Sequence, residues 1–258
     1  MNSFMSGAIA IHYQQFGSPD KPNLVLVNSL GTDFRMWHRL VLLLEADFHI
    51  LCYDKRGHGL SDAPQAPYSM QDHYGDLINL MDFLSIDNAV LCGDSVGGMI
   101  AQALATRCPE RIVALVLCDT AARIGNEEIW NPRIEAVRAN GIEALADATM
   151  ERWFSLKTQQ NKAEIRLWRN MLIRTADQGY IGTSIAIRDE DLTESTRELN
   201  LPVLALVGAE DNSTPPDVVR QMSELIKGSR FEVIDDAGHL PCIEQPDKIA
   251  GLIKDFLG

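Results

Sequence analysis

The chain has 258 residues, 46 % hydrophobic and 23 % charged, a balance that excludes disordered, collagen-like and disulfide-scaffold proteins. Its length suits one α/β domain carrying an insertion. Basic residues number 23 against 36 acidic, a net charge of −13, so nucleic acid and anionic membrane surfaces are not expected partners.

Taken in chain order, Ile9–Gln15 reads as an edge strand. Asn23–Asn28, His49–Tyr53, Ala89–Gly93 and Ile112–Cys118 are short, β-branched and apolar on both faces, as buried parallel strands are. Between them Met36–Leu44, Met70–Leu84 and Gly98–Arg107 carry apolar residues at helical spacing. The stretch 121–193 then breaks the alternation: it is helix-forming throughout and holds Trp130, Trp153 and Trp168. The pattern resumes with a strand over Val203–Val207, a helix over Asp217–Lys227, a strand over Arg230–Ile234 and a helix over Asp247–Leu257. This alternation predicts a mostly parallel sheet flanked by helices. Residues 1–120 and 194–258 form the core domain, and 121–193 form a helical cap over the sheet's carboxyl edge. Ile112–Cys118, the longest apolar run, is well short of the ~18–20 residues that span a membrane. No Lys or Arg precedes Lys21, so no signal peptide is expected. Five cysteines without CxxC spacing fit reduced thiols in a cytoplasm rather than metal ligands or disulfides.

Chemistry enters at Gly93-Asp94-Ser95-Val96-Gly97, between a strand and a helix. A glycine-flanked serine on such a sharp turn can project its hydroxyl over the sheet edge as a nucleophile. A serine needs a base, and His239, in the loop after the last predicted strand, follows Ser95 in the required chain order. The orienting acid has two candidates, each just past a strand: Asp211, which leads, and Asp119. Glu210 reads as a solvated neighbour. Amide donors for an oxyanion are expected from Val96 and, in Asn28-Ser29-Leu30-Gly31, from Leu30.

With Asp54-Lys-Arg-Gly-His-Gly-Leu-Ser61 added after the third of these strands, the whole chain resembles an α/β-hydrolase: N-S-L-G, D-x-R-G-H-G-x-S, G-D-S-V-G-G, G-x-x-D-x-S-T-P and A-G-H-x-P follow in order. The resemblance makes Arg56 and His58 scaffold rather than catalyst. Asn28-Ser-Leu-Gly-Thr-Asp33 with Trp37, Ala121-Ala-Arg-Ile-Gly125, Trp130-Asn-Pro-Arg133-Ile and Glu151-Arg-Trp-Phe154 are similar to 3-oxoadipate enol-lactonases of the β-ketoadipate pathway. That likeness implies a serine hydrolase opening a small anionic lactone in bacterial aromatic catabolism, with no metal or organic cofactor. A carboxylesterase or cofactor-free perhydrolase shares most of these motifs, and a ligand receptor on a hydrolase scaffold is the alternative outside enzymes. Arg133, beside Trp130, is the expected cation for the substrate's carboxylate, with Arg152, beside Trp153, as the other cap arginine and both tryptophans expected at the substrate. The sequence leaves monomer and homo-oligomer open.

Overall fold

Runs such as NLVLV and IVALVLC have no polar face, so they are stable only inside a sheet covered on both sides. The computed structural model, which describes residues 2–258, places them there. The strands are β1 (Asn2–Ser6), β2 (Ile9–Phe16), β3 (Asn23–Val27), β4 (His49–Tyr53), β5 (Ala89–Asp94), β6 (Ile112–Cys118), β7 (Val203–Gly208) and β8 (Arg230–Ile234). They form one sheet in the order β1-β2-β4-β3-β5-β6-β7-β8. The pairs β1–β2 and β2–β4 are antiparallel and all the others are parallel. β2 is therefore not the edge strand that its alternation predicts. A short hairpin strand, exposed along most of its length, covers it.

The crossover helices are α1 (His38–Leu44), α2 (Met70–Phe83), α3 (Val96–Arg107) and α9 (Pro216–Leu225); after β8 come a single turn, α10 (Pro241–Glu244), and a last helix, α11 (Pro246–Leu257). Ser69 opens α2 with a reciprocal capping box to Asp72, which satisfies two orphan amides at once. α3 is buried all round from Val96 to Ala105, as a helix pressed between the sheet and other helices must be. No helix among the described residues is long and apolar enough to cross a membrane.

After β3 the chain adds β4 on one side and then returns to add β5 on the other. The two loops that leave β3 and β5 thus diverge at a topological switch point, the usual place for a site in an open α/β sheet. Val27 pairs with Gly93 there, so Ser29 and Ser95 begin as neighbours. Between β6 and β7 runs a helical insert of α4 (Glu127–Asn140), α5 (Ala146–Trp153), α6 (Lys162–Leu172), α7 (Asp177–Asp189) and α8 (Thr193–Arg197). Trp130, Trp153 and Tyr180 of the insert are buried.

Candidate active site

Ser95 joins β5 to α3 with φ 56° and ψ −119°, a backbone that costs a side-chain-bearing residue about 1–3 kcal/mol. Its surroundings hold it there. Its N–H donates to Cys118 O at 2.9 Å, and its carbonyl accepts from the Thr120 hydroxyl at 2.6 Å. A Cβ at Gly97 would overlap the Val27 carbonyl, and one at Gly93 would overlap Gly97 itself. The glycines are thus required by close backbone approach, and the tight turn they permit leaves the Ser95 side chain on a cavity wall.

His239 reaches the same cavity from the loop after β8. Its Nδ1 lies 2.9 Å from Asp211 Oδ2, so Nδ1–H donates to the carboxylate and Nε2 remains for a reacting group. Asp211 is held by the N–H groups of Ser213 at 2.7 Å and Thr214 at 3.2 Å on its other oxygen. The Thr214 hydroxyl lies 2.7 Å from both Asp211 Oδ2 and the Asp119 carbonyl. Burial opposes charge on Asp211, but His239 and these hydrogen bonds outweigh it and hold the carboxyl below its ordinary pKa. Burial likewise opposes charge on His239, yet the charge and hydrogen bond of Asp211, and then Asp94, raise its pKa above 6.5. Asp119 takes no part in this pair. Its Oδ1 accepts from Gly208 N–H at 2.9 Å, and burial followed by repulsion from Asp211 and Asp94 pushes its pKa well up. Ligand atoms of Asp119, Asp211 and His239 lie within 4.8 Å of one another. The Nδ1–H already donated to Asp211 makes this an acid–base couple rather than a cation cage.

The loop after β3 is held from below. His58 Nε2 accepts from Gly31 N–H at 3.0 Å, the Lys55 ammonium donates to Ser29 O, and Thr32 N–H and Oγ1 also meet Ser29 O, at 3.3 and 2.9 Å. Burial, with the charge of Lys55, pushes the His58 pKa well below 6.5, so it is a neutral acceptor. Arg56 forms a fork with Asp76 at 2.6 and 2.8 Å. Both residues brace the turn, in the scaffold positions expected of them. Leu30 lines the cavity beside Ser29, and Val96 opens α3, where the first amides of a helix have no partner within it.

The insert closes the cavity from above with Trp130, Arg133, Thr149, Arg152, Trp153 and Tyr180. The enclosed space is about 90 Å³, far below the ~300–1,000 Å³ of a drug-sized site. Arg133 lies 5.0 Å from the Trp130 ring centroid, and Arg152 donates to the Thr149 hydroxyl at 3.0 Å. Among the described residues no carboxylate forms an ion pair with either. Burial, then the like charge of Arg133, lowers the Arg152 pKa. A larger apolar cavity, about 530 Å³, lies by Phe16, Phe34, Met36, Val41 and Trp168 and shares no residue with this one. Volume alone would pick the wrong place; the titratable groups pick this one.

The profile described as the alpha/beta hydrolase family matches residues 24–252. This chain belongs to that family. It is 34 % identical to "3-oxoadipate enol-lactonase 2" of Acinetobacter baylyi, over 92 % of this chain and 89 % of that one. The crystal structure of the enol-lactonase from Burkholderia xenovorans superposes with a TM-score of 0.96 at 37 % identity, covering 99 % of both chains. A thermophilic esterase from Thermogutta terrifontis, solved with malate bound, gives 0.92 at 30 % identity, covering 99 % of this chain and 96 % of that one.

In this hydrolase the structure brings Ser95, Asp211, His239, Leu30, Arg133, Trp130 and Trp153 to one place, with Val96 next to Ser95. Arg152, which ranks behind Arg133 in sequence, faces the same cavity. Three contributions escape the sequence. Thr214 hydrogen-bonds Asp211, and Tyr180 joins the two arginines. Glu210 is no bystander: its carboxylate accepts from Leu156 N–H at 2.9 Å and ties the insert to the acid-bearing loop. Only the S-T-P run after Asp211 carried a local signal, and it marks a turn that caps the acid.

Proposed function

We propose that this hydrolase opens a small anionic lactone through a Ser95–His239–Asp211 triad, and that the substrate is 3-oxoadipate enol-lactone, hydrolysed to 3-oxoadipate in aromatic catabolism. The observation that carries the reading is one small cavity with Ser95 and the His239–Asp211 couple on its floor and two uncompensated guanidinium groups on its roof. Adjacent like charges are unfavourable when half-buried, so an anion must complete them. A planar carboxylate suits a pair of arginine forks. The enol-lactonase likeness supplies a substrate that has both the ring ester and the free acid.

In this scheme Ser95 Oγ adds to the lactone carbonyl while His239 Nε2 takes its proton, and the N–H groups of Leu30 and Val96 receive the developing oxyanion. Asp211 keeps the imidazole in the Nδ1–H tautomer and stabilises its charge. The ring C–O bond breaks as His239 returns the proton to the departing enol oxygen, and water then releases the acid in the same way. Trp130 and Trp153 wall the ring, and the insert acts as a cap that excludes solvent. No step needs a metal or cofactor.

The test is turnover of the enol-lactone beside neutral esters of similar size. Ser95→Ala should abolish all of it, by a factor on the order of 10⁴ or more. Arg133→Met and Arg152→Met should each raise KM for the lactone about 30- to 150-fold, equivalent to ~2–3 kcal/mol for a lost charge-assisted pair, and leave the neutral ester unchanged. If the wild type prefers neutral esters and the arginine variants act on all substrates alike, the chain is a carboxylesterase, the reading that its likeness to the thermophilic esterase favours.

A further inference from the structure

The segment Asp54-Lys-Arg-Gly-His-Gly-Leu-Ser61 has no part in the scheme above, yet two of its side chains meet the loop after β3. Lys55 and His58 are each 1 % exposed. Polar and ionisable groups are costly to bury, so two together call for a physical reason. Ser29 O accepts from the Lys55 ammonium, from Thr32 Oγ1 at 2.9 Å and from Thr32 N–H at 3.3 Å. In the trans Ser29–Leu30 peptide the N–H points opposite to the C=O. Fastening Ser29 O to Lys55 and Thr32 therefore turns the Leu30 N–H away from them. Ser29 and Leu30 line the cavity that holds Ser95, whereas Lys55 and Thr32 do not, so the N–H is turned to the cavity side. Among the described residues it meets no protein acceptor, and a backbone donor so placed needs one. The next peptide is held as well. Gly31 N–H donates to His58 Nε2 at 3.0 Å, and His58 Nδ1 lies 3.1 Å from Arg56 O. A carbonyl only accepts, so Nδ1 carries the hydrogen and Nε2 keeps the lone pair that Gly31 requires. The two peptide planes that meet at the Leu30 Cα are thus fixed, one by Lys55 and the other by His58.

We propose that Lys55 and His58 are positioning residues that clamp the two peptides flanking Leu30 and so aim its N–H at the developing oxyanion, setting the rate of the chemical step rather than the affinity for substrate. The inference rests on the hydrolase reading above. Lys55 contributes more than direction: a cation bonded to the oxygen of an amide polarises that amide and makes its N–H a stronger donor. His58 contributes a fixed acceptor, without which the Leu30–Gly31 peptide is free to turn and to carry the Leu30 φ and ψ with it. Removing either clamp lets the donor drift, and one displaced by a few tenths of an ångström binds the oxyanion less well while still admitting substrate.

The experiment uses the full chain and a small neutral ester, with folding followed by circular dichroism. Lys55→Met and His58→Leu should each lower kcat about ten- to a hundredfold, somewhat less than outright loss of an oxyanion donor, with KM within about twofold. Inhibition by phenylboronic acid, whose tetrahedral adduct needs the same amide, should weaken in parallel. His58→Gln brings an amide oxygen to the place of Nε2 and should recover most of the loss. Thr32→Val removes one of the three donors to Ser29 O at nearly constant volume and should lower kcat about two- to fivefold; it decides the matter if Lys55→Met and His58→Leu do not fold. Unchanged kcat and boronate affinity in the folded variants would overturn the inference and leave the hydrolase reading intact. So would a raised KM at constant kcat, or a His58→Gln protein as slow as His58→Leu. A wild type inert towards the enol-lactone and every ester would overturn the hydrolase reading and take this one with it.

Discussion

The His239 imidazole titrates under opposing influences, burial lowering its pKa and Asp211 raising it above 6.5. As the proposed general base it must be neutral, so kcat/KM should rise with pH through a midpoint above 6.5. Asp211→Asn removes the raising charge and favours the wrong tautomer. The midpoint should move down and the rate fall by as much as ~10⁴, whereas Asp119→Asn, at a carboxyl that makes no hydrogen bond to His239, should cost far less. A pH–rate series from 5 to 9 on all three proteins checks this, and equal damage from the two variants would reassign the acid. Lys55 yields a stability prediction of definite sign. Burial lowers its pKa to about 7, with Asp54, Asp33 and Asp94 opposing, while the unfolded chain keeps an ordinary lysine near ~10.4. Between those values the unfolded state binds more protons, so stability rises with pH across the window and the full cost of charging is present below it. Urea midpoints of wild type and Lys55→Met at pH 7 and 9.5 should therefore differ in slope, with the rise missing from the variant.

At the scale of elements, the insert is fastened to the catalytic loops rather than resting on them. Glu244 in α10 accepts from Gly238 N–H at 2.6 Å, from Ser155 Oγ at 2.6 Å and from Ser155 N–H at 3.1 Å. His239 N–H itself donates to the Trp153 carbonyl at 2.8 Å at the end of α5. One half-buried carboxylate thus organises both the histidine loop and the segment that roofs it. Glu244→Ala leaves two backbone donors without a partner at a cost of about 1–3 kcal/mol each. Thermal melting should show a loss of about 2–6 kcal/mol in stability, and kcat should fall with it because the proposed base is no longer held. A melting temperature unchanged by the substitution would mean that water replaces the carboxylate there and the fastening is idle.

At the scale of the molecule, a net charge of −13 repels any anion at long range, and in the proposed function the arginines act only once the anionic substrate has arrived. Salt separates the two effects, since screening at ~0.1 M reaches over about 10 Å. In a double Arg133→Met/Arg152→Met protein the local attraction is gone and the repulsion is bare. Its kcat/KM for the anionic lactone should rise severalfold between about 20 and 200 mM salt, while the rate on a neutral ester stays flat. A fall with added salt would place another cation on the approach path.

The sequence by itself determined the parts whose residue types are demanded by their own backbone. Buried strands need runs without a polar face, and β4 and β6 fall on the runs read for them, residue for residue. A serine at φ 56° needs glycines where other carbonyls pass, so the turn around Ser95 is legible as a pattern, and His239 and Asp211 are legible as loop residues just past strands. The tertiary structure alone decided the rest. β1 carries almost no burial and so left no periodicity to read. Asp119 and Asp211 each follow a strand; the sequence favours Asp211, and the position of His239 beside it decides between them. Glu210 and Glu244 look like surface acids until the insert folds back over them, and Lys55 looks solvated until the fold buries it against the Ser29 carbonyl. Each of these roles depends on what lies opposite in space, and a charged side chain carries the same local signal whether water or another segment of the chain will be its neighbour.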